Sequence, residues 1–304
     1  MKIITNQEIE SLGINPATCY QWVQESFKMK YDSQLPAKMS VHPQGIDFYT
    51  TMPCLLPQRY DFFSAKVVSR IAGRKPALKS DLMLFRASTG ELRAMMDGDW
   101  ITSMRTGAVA ALAIQTFQKS DAQTYGILGL GNTAHATIKV LTALPNTTKK
   151  TIKLLQYKNQ AEKFMQDFHH TGIRMETVTS IEELVASSDV ILSCITETTE
   201  LLCPQDKLFP KGVLVIPVHT RGFQNCDLFF DKVYADDKDH VKGFKYFSKF
   251  KQFDEFSHVL LGQNPGRTND SERILSYNIG LGLHDAFFAY KIYTLLQDKQ
   301  SGLH

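Results

Sequence analysis

The chain has 304 residues, of which 43% are hydrophobic and 21% are charged. This length suggests about two domains, since single domains usually run ~100–200 residues. The formal net charge is only +3, and basic and acidic residues are interleaved, which argues against a nucleic-acid-binding protein. No segment looks like an export signal or reaches ~18 consecutive apolar residues, so we expect a protein that is neither exported nor inserted in a membrane.

The first ~120 residues contain extended, strand-like stretches and one clear turn signal. Ser88-Thr89-Gly90 lies between two apolar runs and predicts a β-hairpin. A helix is expected to begin near Arg105, in MRTGAVAALA. This part of the chain therefore has an α+β pattern. Five cysteines occur without metal-ligand spacing, which favours reduced thiols, a cytoplasmic location and no metal site.

From about residue 124 to 237, short apolar runs alternate with amphipathic ones. Strand and helix in strict alternation predict a parallel sheet. One helix start is marked by Ser180 with Glu183 three residues later, the pattern of a capping box. The segment NIGLGLHDAFFAYKIYTLLQ predicts a last helix that packs back onto the first domain. We therefore expect a discontinuous first domain, 1–118 with 279–304, and a parallel-sheet α/β domain at 119–278.

The stretch GILGLGNTAHATIKVL, residues 126–141, places a GxGxxA motif between a predicted strand and a predicted helix at 136–144. Gly129 suits a tight turn, Gly131 lets the backbone approach a pyrophosphate, and Ala134 lets helix and strand pack closely. The amide groups at the start of the helix also attract phosphates. The motif is weak alone, but the βα units that follow it favour a dinucleotide site.

The residues after the next strand, TIKLLQY, bear on the choice between NAD and NADP. An NAD site usually has an acidic residue there for the ribose 2′-hydroxyl. Here the strand ends in Gln156-Tyr157-Lys158-Asn159, without a carboxylate and with one cation. The sequence thus favours NADP over NAD, although Lys158 is also compatible with a solvated loop.

Outside the nucleotide domain, two cations stand in suggestive positions. Lys66 lies in the strand-like FFSAKVVSR, and Arg105 follows DGDWITSM. Since the cofactor carries the chemistry of a hydride-transfer enzyme, the protein's part is to position a substrate. A guanidinium and an ammonium together would hold a substrate carboxylate. On sequence alone, each of the two residues could equally be a surface cation.

Taken together, FRASTGELRAMMDGDWITSMRTGAVAALA at residues 85–113 resembles a long motif of the ornithine cyclodeaminase/mu-crystallin family. The resemblance extends to Met52-Pro53, the strand around Lys66, GLGNTAHA, and PGRTNDSERILSYNIGLGLHDAFFA at 265–289. It covers nearly the whole chain. It implies a homodimer of α/β fold, with a Rossmann domain and a discontinuous α+β domain that binds a small carboxylated substrate.

The resemblance also implies roles for individual residues. It makes Lys66 and Arg105 substrate ligands and candidate catalytic groups, and places Lys38 and Met52 near the substrate. Lys38 stands where relatives commonly have Arg, which keeps the charge but loses the fork. The implied cofactor contacts are Arg105, Thr106, Gly129, Gly131, Asn132, Thr133, Gln156, Tyr157, Lys158, Thr196, Val218 and Asn278.

One departure bears on the reaction. Ornithine cyclodeaminases have an acidic residue after the strand that corresponds to VLVIPV, whereas this chain reads His219-Thr220-Arg221. Arginine stays protonated and cannot be that base. The chain therefore resembles the ketimine reductase or alanine dehydrogenase branch, with His219 as a candidate acid. An ammonia-releasing cyclodeaminase and a non-enzymatic mu-crystallin-like binder remain alternatives.

Overall fold

The computed structural model describes residues 1–145, 149–196, 198–218 and 221–301. The chain divides into two compact units, Met1–Arg105 with Leu281–His304, and Thr106–Gly280. The expected boundary after residue 118 thus differs from the one in the structure, which follows Arg105. The fold is of the predicted α/β class.

The first unit is built on a six-stranded sheet in the order β1-β6-β5-β4-β3-β2. Only β1 and β6 run parallel, and the other neighbours are antiparallel. The strands are β1 (Lys2–Ile4), β2 (Met39–Val41), β3 (Phe48–Leu55), β4 (Phe62–Arg70), β5 (Leu78–Arg86) and β6 (Leu92–Asp97). The helices that begin in this unit are α1 (Asn6–Glu10), α2 (Pro16–Lys28), α3 (Asp99–Phe117) and α10 (Gly282–Ser301).

Alternating side chains give this sheet one covered face. In β4 the even-numbered residues from Phe62 to Val68 are buried and most odd-numbered ones are half-buried. Helix α10 packs on the covered face against β3, β4 and β5, and also against α2. Trp22 meets Phe288 edge to face at 5.1 Å between ring centroids. The predicted hairpin at residues 88–90 is confirmed by the antiparallel pair β5 and β6.

Helix α3 begins at Asp99, so the expectation that a helix starts near Arg105 was wrong. The carboxylate of Asp97 accepts the amide proton of Asp99 at 2.9 Å. An Asp side chain that accepts an amide at a helix start satisfies one of the donors that the first turn leaves unpaired. The residues from Asp99 up to Arg105, which precede the expected start, therefore belong to the helix.

The second unit contains an eight-stranded parallel sheet in the order β13-β12-β14-β11-β10-β7-β8-β9. Its strands are β7 (Thr124–Leu128), β8 (Thr151–Leu155), β9 (Arg174–Val178), β10 (Val190–Ser193), β11 (Leu214–Pro217), β12 (Lys232–Ala235), β13 (Phe253–Glu255) and β14 (Ile274–Tyr277). The chain runs outward from β7 through β8 to β9 and then returns to β10 on the other side of β7. Strand order therefore reverses between β7 and β10, where doubly wound sheets bind ligands.

The helices of this unit are α4 (Asn132–Thr142), α5 (Gln160–Phe168), α6 (Ile181–Ala186), α7 (Cys226–Phe229), α8 (Lys238–Val241) and α9 (Phe256–Leu260). At the start of α6, the hydroxyl of Ser180 accepts the amide proton of Glu183 at 3.1 Å, one of the two bonds of the predicted capping box. Helix α3 approaches α4 so closely that a Cβ on Gly107 would lie 2.5 Å from the backbone of Ala136. Small residues are required at that crossing.

The PGR part of the family motif has a structural role. The guanidinium of Arg267 donates to the carbonyls of Phe117, Gly212 and Glu272 at 2.7, 3.0 and 2.6 Å. It thereby ties the end of α3 to the loop before β11.

Among the described residues, no helix is long and apolar enough to cross a membrane.

Candidate functional site

The GxGxxA turn joins β7 to α4. Gly129 has φ +82°, and a Cβ there would lie 2.7 Å from the backbone of Cys194. Only glycine fits this turn, because other residues rarely adopt that φ and the neighbouring strand leaves no room. Helix α4 begins at Asn132, earlier than the predicted residue 136, with Gly131 as its N-cap. Asn132 and Thr133 thus lie in its first turn.

The start of helix α4 has the features needed to bind the diphosphate of a dinucleotide. A Cβ on Gly131 would meet nothing within 4 Å, so the backbone there borders open space. Ala134 is fully buried, which brings the helix close to the sheet. The first amides of a helix have no partner within it and carry its positive dipole end. These amides can donate to phosphate oxygens that approach past Gly131.

The predicted ribose-binding residues follow β8. Lys158 has φ +52°, and its ammonium lies 5.2 Å from the centre of the Tyr157 ring. The amide of Gln156 donates to the carbonyl of Lys158 at 2.6 Å and to the carboxylate of Glu162 at 2.8 Å. Sequence analysis missed Glu162, because it lies in the first turn of α5 and not at the end of the strand. The segment thus presents both a cation and a carboxylate.

Three other predicted cofactor contacts follow adjacent strands. Val218 follows β11 and donates its amide proton to the carbonyl of Ser193 at 3.0 Å. Asn278 follows β14 and donates to the carbonyl of Pro217 at 3.2 Å, so it lies next to Val218 along this sheet edge. The side chain of Asn278 is 3% exposed, and within the described ranges its Nδ2 has no hydrogen-bond partner. A buried amide without a partner is costly unless a ligand accepts its proton.

Thr196 follows β10, and its carbonyl accepts a hydrogen bond from Arg221 Nη1 at 3.2 Å. Arg221 is exposed and so connects the loops that follow β10 and β11. Thr106 follows Arg105 in α3. The candidate acid His219 lies outside the described residues.

A buried cluster of charges lies in the first unit. Lys66, in β4, is fully buried, and its Nζ lies 2.6 Å from Asp285 Oδ2. Arg105, in α3, is 6% exposed, and its Nε lies 3.1 Å from the other oxygen of the same carboxylate. Asp285 belongs to the first turn of α10 and is fully buried. We call these three side chains the charge cluster.

The charges of the cluster do not cancel. Two cations face one carboxylate, and the positive charge of Lys38 also acts on Lys66. Burial, followed by the repulsion of Arg105, lowers the pKa of Lys66 to about 7. Burial alone would raise the pKa of Asp285, but Arg105 and Lys66 hold it below its usual value. The cluster therefore keeps an ionised carboxylate and an excess of positive charge, a suitable setting for a second, bound carboxylate.

The structure brings the four predicted substrate residues together. Met52 and Lys66 are directly opposite each other across β3 and β4, so their side chains share one face of the sheet. Met52 is buried, and Lys38, which precedes β2, is half-buried. Asp285 was missed as a member of this site. Its only signal in the sequence was its place in the family motif.

The chain belongs to the ornithine cyclodeaminase/mu-crystallin family, whose model matches residues 2–300. This confirms the family inferred from the motifs. The chain is 23% identical over 272 residues to the nodulation efficiency protein NfeD of Rhizobium meliloti, covering 86% of this chain and 84% of that protein. It is 25% identical to the iminosuccinate reductase of Paracoccus denitrificans, covering 73% and 72%.

The fold is shared with a solved relative. The structure of the Δ1-pyrroline-2-carboxylate reductase of Thermococcus litoralis, in complex with NADH and L-proline, superposes with a TM-score of 0.86. It is 21% identical, and the match covers 99% of this chain and 98% of that one. At this identity the likeness establishes the two-unit fold with its Rossmann-type sheet.

Proposed function

We propose that this chain is an NAD(P)H-dependent oxidoreductase that acts on the C=N or C–NH bond of a small imino or amino acid. The observation that carries the proposal is the charge cluster, in which two buried cationic side chains share a single carboxylate. Burying such charges is unfavourable unless they are paired or bind an anion. A substrate carboxylate would supply the missing negative charge.

The side chains of the cluster have distinct roles in this proposal. Arg105 would offer its Nη protons to a carboxylate, while Asp285 fixes its orientation through Nε. Lys66 adds charge, and because its pKa is about 7 its Nζ can also deliver a proton to a substrate nitrogen. His219 is the second candidate for this proton transfer. The nicotinamide cofactor, when bound, supplies the hydride.

The residue at the position of the cyclodeaminase acid separates a reductase from a lyase. That position falls at or near Arg221, whose guanidinium is bonded to the carbonyl of Thr196. A preformed imine needs only hydride on carbon and a proton on nitrogen, whereas ammonia loss from ornithine requires a base. The absence of a carboxylate at this position supports the reductase.

The first experiment follows NADPH absorbance when the purified protein meets Δ1-pyrroline-2-carboxylate. We expect consumption by the wild type, and a loss of kcat/KM of about 100-fold or more in Arg105→Ala, since a buried charged contact is removed. Arg105→Lys separates the fork from the charge and should recover part of the activity. Arg59→Ala removes an exposed guanidinium and serves as the control.

Two outcomes would support the alternatives. Ammonia release from ornithine with NAD⁺ and no net nicotinamide change would establish the cyclodeaminase. Tight NADPH binding without turnover of any imine would favour a binding protein. Activity that survives Arg105→Ala would show that the cluster does not hold the substrate.

The proposal includes either NADP or NAD as cofactor, with NADP preferred. Lys158 can attract a 2′-phosphate, and the adjacent Tyr157 ring, 59% exposed, can lie against an adenine. Glu162 acts in the opposite sense by repelling a phosphate and accepting a ribose hydroxyl. The ratio of the Kd values of NADPH and NADH measures the balance between them.

The proposal also includes a homodimer through the uncovered face of the first unit's sheet. Ile3, Met95, Met83, Ala65 and Pro53 are successive cross-strand partners from β1 to β3 and form an apolar row on that face. Ile3 and Met95 at one end are 67% and 42% exposed. An exposed apolar face of this extent is typical of a contact with another chain. A second copy would cover it symmetrically.

Light scattering during gel filtration tests the dimer. We expect a dimer for the wild type and a monomer for Met95→Glu, while Leu261→Glu, an exposed position in the second unit, leaves the dimer intact. A monomeric wild type would contradict this part of the proposal.

A cytoplasmic location is proposed because all five cysteines are buried and unpaired. Cell fractionation tests it.

A further inference from the structure

His135 links the diphosphate loop to the neighbouring helix. Its ring lies on α4, between the loop and α5. Nδ1 lies 3.0 Å from the carbonyl oxygen of Gly131, and Nε2 lies 3.0 Å from Asp167 Oδ2. The ring also packs on Phe164, at 4.3 Å between centroids. Nothing in the GxGxxA motif requires a histidine at this position.

The two polar partners of the ring are both hydrogen-bond acceptors. A carbonyl oxygen accepts hydrogen bonds, and so does an ionised carboxylate, whereas neutral histidine donates from only one nitrogen. Both bonds therefore exist together only when Nδ1 and Nε2 each carry a proton.

The bond to Gly131 acts on the amide that follows it. The Gly131 carbonyl accepts the backbone amide of His135 at 3.0 Å as well as Nδ1. Because a trans peptide is planar, the amide proton of Asn132 points opposite to that carbonyl. Fixing the carbonyl along the helix thus aims the Asn132 N–H outward from the helix start, toward the open space at Gly131.

We propose that His135 is a positioning residue for the cofactor's diphosphate, acting through the Gly131–Asn132 peptide, with Asp167 holding the ring in place. The inference rests on the proposed function, since it needs a dinucleotide in the loop. It predicts that the bond from Nδ1 matters more for cofactor affinity than the bond from Nε2.

Two amide substitutions separate the two bonds. His135→Asn places an amide nitrogen near the position of Nδ1, whereas His135→Gln places one near Nε2. We expect a Kd for NADPH within about twofold of wild type in His135→Asn, and about fivefold to tenfold weaker binding in His135→Gln, the effect of one hydrogen bond. Fluorescence titration of NADPH gives the Kd, and thermal unfolding of the free protein reports on stability separately.

Two further measurements complete the test. His170→Gln changes an exposed histidine beyond α5 and should leave the Kd unchanged. ADP-ribose, which has the diphosphate without the nicotinamide, should show the same order among the variants as NADPH. Equal Kd values for the Asn and Gln variants, or weaker binding only in His135→Asn, would overturn the inference alone. Wild-type protein that binds neither ligand would overturn the proposed function as well.

Discussion

The two candidate sites use different parts of the polypeptide. The charge cluster consists of a Lys, an Arg and an Asp side chain that are at most 6% exposed and lie on three separate elements of the first unit. The diphosphate loop of the second unit consists of backbone amides and of glycines whose missing side chains leave room. The first site should therefore be sensitive to a change of charge, and the second to a change of shape.

The difference also concerns stability. Desolvated charges are tolerated only while their partners remain, so the charge cluster couples substrate binding to the stability of the fold. At the diphosphate loop, by contrast, one glycine packs against the neighbouring strand and the other borders open space. Stability and binding are separable there.

The largest effect is expected from Asp285→Asn. The substitution keeps the shape of the side chain but removes the only carboxylate that Lys66 and Arg105 share within the described cluster. Breaking a buried ion pair typically costs about 3–5 kcal/mol, because the remaining charge stays buried and uncompensated. Urea unfolding gives the free energy.

The control is Asp32→Asn, whose exposed carboxylate lies 3.9 Å from Arg59. Exposed pairs contribute little, so we expect hardly any change there. If Asp285→Asn were as stable as this control, the contrast between the sites would fail.

Two glycine variants provide the next test. Gly129→Ala places a Cβ at positive φ and 2.7 Å from the Cys194 backbone, so we expect a loss of about 2–4 kcal/mol. Gly131→Ala meets no protein atom and should leave the urea midpoint nearly unchanged. Its methyl group would nevertheless obstruct the diphosphate and weaken NADPH binding about tenfold. Unchanged binding in Gly131→Ala would show that the loop is only a turn.

The fold could be predicted largely from patterns that depend on local sequence. Alternating apolar runs gave the parallel sheet, and residues 88–90 gave the hairpin, since each reflects a short-range preference. The start of α3 was missed because Asp97 and Asp99 resemble a polar turn. Their carboxylates instead accept backbone amides, that of Asp99 binding the amide of Ser80 at 2.7 Å.

The sites were predictable to different degrees. The spacing of Gly129 and Gly131 indicated the loop, because a backbone site depends on where side chains are missing. Asp285 and His135 could not be assigned roles in this way, since their partners are distant in sequence. Asp285 meets Lys66 only after β4 and α10 pack together, and His135 meets Asp167 only after α4 and α5 do.

The third prediction concerns pH and has opposite signs in the two units. Burial raises the pKa of Asp227 in the second unit to about 7, and its Oδ1 accepts the Tyr277 hydroxyl at 2.6 Å. The folded state then binds more protons than the unfolded state, so stability falls as pH rises toward and through 7. We expect a loss of about 1–2 kcal/mol between pH 5.5 and 8 from this group.

The comparison uses Asp227→Asn and Lys66→Met. Because the pKa of Lys66 is lowered to about 7, its contribution to stability rises as pH increases above 7. Asp227→Asn should therefore reduce the fall of stability with pH, and Lys66→Met should make stability decline more steeply on the alkaline side. Urea midpoints at several pH values measure both. The same change of slope in both variants would contradict the assignment.

The smallest effect is expected at the ribose end of the dinucleotide site. Side-chain charge and backbone shape can both contribute to binding there. Lys158→Gln keeps an exposed polar side chain but removes its charge, so we expect the NADPH preference to fall about fivefold, with the Kd of NADH unchanged. Glu162→Gln should act in the opposite direction, because it removes a carboxylate that repels a 2′-phosphate while the amide can still bond Gln156.

Fluorescence titrations with both cofactors at low and high salt give the ratios of the Kd values of NADPH and NADH. A shift that disappears at high salt identifies a charge effect between exposed groups. A shift that persists, or that affects NADH equally, would mean that the segment acts through its backbone shape, as the diphosphate loop does.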